Sequence, residues 1–280
     1  MTDKPLIKIK AKLKPVLPLA LAPIKHAINF GKQTITITYG ECAENHVGMQ
    51  KLGTICKKGL TLTDLKAVEL YFQQQGQITE LIMLGKDLDK QVNAEDACIL
   101  IVRNGVAGLQ GDADELYQEQ ANLQPDTKAK MYGRVVDKHA RYNLCFDENP
   151  QEPDYDEGKG RVVQFSDAPH TEAIRQGIMR LLPHVPSLKA EGNYYYDIRK
   201  CGISFHGDTE RKVVVAMRLG HSMSLHYWWY HRGQRIGDRI DLELHHGDIY
   251  FMSEKATGYD WKRPSIYTLR HAAGCSKFTS

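Results

Sequence analysis

The residues with the clearest chemical potential lie between Asn193 and Glu210, in the stretch NYYYDIRKCGISFHGDTE. His206 and Asp208 are separated by one residue, and side chains at i and i+2 on a strand emerge on the same face. An imidazole and a carboxylate so placed can reach one divalent ion. They supply two of the three ligands of the 2-His-1-carboxylate triad that holds non-haem Fe(II) and leaves positions open for a co-substrate and O2. The motif is short, and a hydrogen-bonded His–Asp pair at a surface has the same spacing. The surrounding residues have to decide between the two.

Asn193 and Tyr195 share one face of the preceding strand, Asp197 and Gly202 mark a turn, and Glu210 follows Asp208 by two positions. Farther on, Leu244-His245-His246-Gly247-Asp248 runs into the apolar Ile249-Tyr250-Phe251-Met252, and Thr268-Leu269-Arg270 follows near the end of the chain. With these motifs in this order, residues 190–274 resemble the AlkB-like family of Fe(II)/2-oxoglutarate-dependent dioxygenases. The resemblance implies a double-stranded β-helix (jelly-roll) core and an oxidoreductase that hydroxylates a C–H bond, using Fe(II), 2-oxoglutarate and O2 and releasing succinate and CO2. It implies that His206 and Asp208 are iron ligands and that Asn193 and Tyr195 hydrogen-bond the co-substrate. Arg270 would grip a carboxylate of 2-oxoglutarate, a task that suits the bidentate geometry of a guanidinium.

Two positions depart from the family pattern. The family's second iron-binding histidine stands ten residues before the arginine, where this chain has Asp260, and its second arginine stands where this chain has Pro264. Three readings stay open. Asp260 is the third metal ligand, giving a harder site with weaker preference for Fe(II) over Mn(II) or Mg(II). Alternatively another histidine moves in, among His226, His231, His246 and His271; His271 adjoins Arg270, and strand neighbours face opposite ways unless a bulge intervenes. In the third reading the barrel persists without working iron, as a binding protein that recognises nucleic acid or a protein partner. A metal-dependent barrel of the cupin type shares the H-x-D-x-E signal.

The elements that must position these residues are legible in outline. The chain has 280 residues, 42% apolar and 25% charged, with a formal net charge of +3. These are values of a folded globular protein, and no run approaches the roughly 20 apolar residues of a spanning helix. Six cysteines occur without CxxC spacing, which suits free thiols in a reducing, intracellular setting (cytoplasm or nucleus) better than a disulfide framework or a zinc knuckle. Residues 1–33 read as a basic tail, with Pro15, Pro18 and Pro23 breaking the short apolar stretch that would otherwise imitate a secretory leader.

Residues 34–124 read as a small α/β unit. It holds strands at Thr34–Tyr39, Thr79–Leu84 and Ala97–Arg103, and helices at Leu65–Gln75 (with Thr61 as N-cap) and Asp112–Leu123. Residues 125–280 read as the jelly-roll domain: a connector over Pro125–Tyr132, an exposed acidic loop over Gln151–Gly160, a helix over Thr171–Leu182, then seven short strands from Asn193 to His271. The fold class expected is α+β. Nucleic acid or a nucleotide is the substrate the resemblance favours, with a protein side chain behind it. The basic clusters Gly158–Arg161 and Lys138–Asn143 fit phosphate contact and base stacking. The aromatic run Tyr227-Trp228-Trp229-Tyr230 should bury alternate members.

Overall fold

The computed structural model describes residues 28–86, 88–89 and 92–280. The basic tail expected over residues 1–33 lies outside the described residues up to position 27. In chain order the strands are β1 (Thr34–Gly40), β2 (Cys42–Glu44), β3 (Lys51–Gly53), β4 (Thr79–Met83), β5 (Cys98–Val102), β6 (Lys128–Met131), β7 (Arg134–Asp137), β8 (Tyr142–Asp147), β9 (Val162–Gln164), β10 (Lys189–Tyr195), β11 (Gly202–His206), β12 (Val214–Gly220), β13 (Leu225–His231), β14 (Gln234–Leu242), β15 (Ile249–Met252) and β16 (Thr268–Gly274). The helices are α1 (Leu62–Gln74), α2 (Gly105–Gly108), α3 (Ala113–Asn122), α4 (Pro169–Leu181) and α5 (Ser276–Thr279).

Two sheets dominate. A large eight-stranded sheet has the order β4-β5-β15-β12-β1-β10-β8-β9, and a small four-stranded sheet has the order β11-β16-β13-β14. All the pairings within them are antiparallel except β8 with β9. The alternation in β1, TITITYG, explains the layering. Ile35, Ile37 and Tyr39 project to one side and join a core with Leu65, Val68 and Phe72 of α1, Leu116 and Tyr117 of α3, and Ile174 and Ile178 of α4. On the other side of the large sheet, Val214, Ala216, Tyr250 and Met252 pack against Tyr227, Trp229 and Leu269 of the small sheet. The result is helices, large sheet and small sheet in three layers, an α+β sandwich dominated by antiparallel strands.

The expected boundary at residue 124 does not separate two sheets. β1 pairs with both β10 and β12 in the middle of the large sheet, and β5 pairs with β15. The segment read as a connector carries the first strand of the β6–β7 hairpin. α1 begins as its sequence predicts: the Thr61 hydroxyl accepts from Asp64 N, and the Asp64 carboxylate accepts from Thr61 N at 2.8 Å. Aspartate therefore closes the capping box in place of glutamate. Thr61→Ala is expected to cost about 1 kcal/mol in urea denaturation, because the hydroxyl that accepts from Asp64 N is lost.

Candidate metal centre

His206 ends β11 and His271 lies within β16, and the antiparallel register sets them directly opposite each other. Their rings lie 4.5 Å apart, centroid to centroid. Asp208 follows two residues after His206, beyond the strand. Its Oδ1 is 3.7 Å from His206 Nε2 and 3.7 Å from His271 Nε2. One ligand atom from each of the three side chains lies within 4.8 Å of the others. This is a two-histidine, one-carboxylate donor set of the kind that suits non-haem Fe(II).

The local chain geometry explains how Asp208 arrives there. Gly207 passes so close to Gly258 that a Cβ at position 207 would overlap the Gly258 carbonyl. Asp208 N donates to Thr257 O at 2.9 Å, which pins the turn to the segment after β15. His206 Nδ1 lies 2.8 Å from Ser204 O. A proton on Nδ1 satisfies that carbonyl and leaves the Nε2 lone pair facing Asp208 and His271. His271 is buried, and burial, with His206 and Arg211 nearby, holds it well below the usual imidazole range. Burial pushes the Asp208 carboxyl upward, opposed by Arg211 and His206. Arg211 is itself buried and donates to Glu191 at 2.7 Å and Glu210 at 2.8 Å, which accounts for the glutamate that follows the His–Asp pair.

The three side chains open on a cavity of about 150 Å³ between the sheets. A polar rung crosses the large sheet there: Asn143, Asn193, Thr36 and Arg218 stand side by side across β8, β10, β1 and β12, and the last three line the cavity. Thr36 and Thr38 thus face the cavity where Ile35 and Ile37 face the helices. Arg218 is 1% exposed. One guanidinium nitrogen donates to Thr36 Oγ1, its Nε is buried without a partner, and no carboxylate pairs with it among the described residues. Burial pulls it below the usual arginine range. Such a buried cation is costly unless an anion meets it, and it lines the same cavity as His206, Asp208 and His271.

Several expected site residues stand elsewhere. Asp260 does not join the cluster: its Oδ2 accepts from the Nζ of the buried Lys255 at 2.6 Å. Arg270 does not face the cavity. Because His271 points inward, its strand neighbour points outward, and the Arg270 guanidinium sits 3.9 Å from the centre of the Tyr230 ring. Tyr195 is buried and lines the cavity, and its hydroxyl has no hydrogen-bond partner among the described residues. Asn193 also lines it, but its amide is engaged by Arg141 at 2.6 Å, Asn143 at 2.9 Å and Glu191 at 3.1 Å. Of the other histidines, His226 pairs with Asp241, His246 with Asp114, and His231 stacks on Tyr267. In the basic cluster at 138–143, Lys138 is buried against Asn45 and Asn143, whereas His139 is exposed and Arg141 lines the cavity. Arg161 pairs with Glu152.

No known family model matches the chain. It is 49% identical over 249 residues to the uncharacterized protein R156 of Acanthamoeba polyphaga mimivirus, a match that covers 88% of this chain and 98% of the viral one. The chain belongs to the family of mimivirus R156. Among its described residues no helix is long and apolar enough to cross a membrane.

Proposed function

We propose that this member of the R156 family is a Fe(II)/2-oxoglutarate-dependent dioxygenase with an AlkB-like double-stranded β-helix core, acting on a nucleobase or nucleic acid. The observation that carries the reading is the convergence of His206, Asp208 and His271 on a cavity whose far wall holds a buried arginine without an anionic partner. His206 Nε2, His271 Nε2 and an Asp208 oxygen would hold the iron. Bound there, iron and 2-oxoglutarate would supply oxidising power for hydroxylating a C–H bond. Arg218, with Thr36 donating or accepting beside it, would take one carboxylate of the co-substrate, and the free hydroxyl of Tyr195 would orient it. Tyr250 and Met252 are buried in the cavity wall, and a wall poor in water strengthens each of these contacts.

Anaerobic addition of Fe(II) and then 2-oxoglutarate to metal-free protein tests this. A visible charge-transfer band that appears only when both are present is the expected result. A folded protein that binds Fe(II) and gives no band would leave a metal-binding protein of another chemistry. One that ignores Fe(II) would sink the dioxygenase reading altogether.

A further inference from the structure

The proposed chemistry leaves Arg270 and the Tyr227–Tyr230 run unused. The strand alternation buries Tyr227 and Trp229 in the core and turns Trp228 and Tyr230 to the outer face of the small sheet. There the side chains interleave. Arg235 stacks 4.4 Å over Trp228 and 5.6 Å over Phe205, and Arg270 lies between Tyr230 and Trp261, the latter at 5.1 Å. Trp261 and Lys262 also line the metal cavity, so this face runs continuously into its mouth.

The charge is as one-sided as the stacking. Over residues 228–241 and 261–270, six lysines and arginines face two aspartates, and one of these, Asp241, is already bonded to Arg239 and His226. The side chains of Arg232, Lys262 and Arg263 are exposed and have no ion pair among the described residues. Arg270 has no carboxylate partner either, and its Nε is buried and unpaired. The β13–β14 turn adds an independent sign. Arg232 and Gly233 both have positive φ, 50° and 79°, the two-residue hairpin geometry that asparagine–glycine satisfies with least strain. Arginine is held in a left-handed conformation it adopts reluctantly, beside the loop that carries Lys262 and Arg263, to which its N–H is tied through Pro264 O at 3.0 Å.

We propose that the outer face of the small sheet is a track for single-stranded nucleic acid, with Trp228, Arg235 and Trp261 stacking on unpaired bases, Arg270 adding charge beneath Trp261, and Arg232, Lys262 and Arg263 contacting phosphates. Unpaired π faces beside regularly spaced negative charge are the one ligand chemistry that meets both halves of this surface. The strand would leave the track at Trp261 and enter the cavity. This deepens the proposed substrate class and names the surface that recognises it.

The test is fluorescence anisotropy with metal-free, full-length protein and 5′-fluorescein 20-nucleotide single strands of mixed sequence, as DNA and as RNA, over a series of salt concentrations. Arg232→Asn combined with Lys262→Gln and Arg263→Gln changes only exposed side chains, and asparagine suits the turn. Lost phosphate contacts lower the slope of log K against log salt by about 0.7 each for single strands, so a drop of about 2 is expected. Trp228→Leu is expected to weaken binding about ten-fold, the weight of one base–aromatic stack. Absence of wild-type binding to either strand at 50 mM salt would overturn the proposal. So would wild-type binding whose affinity and slope the triple variant leaves unchanged. No iron or 2-oxoglutarate is present, so a missing charge-transfer band would not be mistaken for failure of this surface.

Discussion

His271→Ala is expected to remove Fe(II) binding, while Asp260→Asn leaves it intact and destabilises the fold. The first expectation follows from the cluster: His271 contributes one of three donors, and its loss leaves an imidazole and a carboxylate. Even outer-shell partners of a metal site are worth roughly 10–100-fold in affinity, so a direct ligand should cost at least about 100-fold. The second follows from the Asp260–Lys255 contact at 2.6 Å. Asparagine keeps an oxygen for Lys255 but removes the negative charge beside a buried ammonium, so part of the about 1.5–3 kcal/mol of that charge-assisted bond is lost. Anaerobic competition with a chromophoric chelator reads the first quantity and thermal denaturation the second. Loss of the metal in Asp260→Asn with retention in His271→Ala would reverse the assignment of the third donor.

That contrast shows what was legible in the sequence. His206 and Asp208 were readable because their relation is local: two residues on one segment share a face whatever the rest of the fold does. The third donor depends on strand parity. Either Arg270 or His271 can point inward, and sequence spacing alone does not say which; with Arg270 inward, the family spacing points to Asp260 and leaves His271 as the alternative that needs a bulge. The cross-strand pairing of His206 with His271 settles the parity in the structure, and Arg270 then belongs to the outer face. Arg218 carries a signal of its own, a lone arginine inside the apolar run Val213–Leu219. Most strands from Thr34 and Gly202 onward were recognisable by alternation and turn residues. The β6–β7 hairpin was not, because Lys128–Met131 and Arg134–Asp137 carry charges at their ends and bury little. The placement of β1 at the centre of the large sheet was equally hidden, since alternation identifies a strand and says nothing of its neighbours.

Arg218→Met and Arg270→Met should separate the two arginines by opposite effects. Arg218 stands in the cavity wall with its Nε unpaired and with Thr36 as its side-chain hydrogen-bond partner. If it meets a carboxylate of 2-oxoglutarate, its removal deletes a buried charge-assisted contact, a loss of about 2–5 kcal/mol, or roughly 30-fold to several-thousand-fold in the dissociation constant. Fe(II) affinity should be nearly unchanged, because Arg218 touches none of the three donors. The apoprotein should be at least as stable as wild type, since methionine fills a similar space and relieves an uncompensated buried cation. Arg270→Met should give the reverse. Titration with 2-oxoglutarate remains as in wild type, and stability falls by about 0.5–2 kcal/mol with the loss of its stack on Tyr230. Calorimetric titration of 2-oxoglutarate into the Fe(II)-loaded protein under anaerobic conditions, alongside chemical denaturation of both variants, measures all of these. Weakened co-substrate binding in Arg270→Met with normal binding in Arg218→Met would mean that the anion approaches from the outer face of the small sheet and that the polar rung across β8, β10, β1 and β12 serves another ligand.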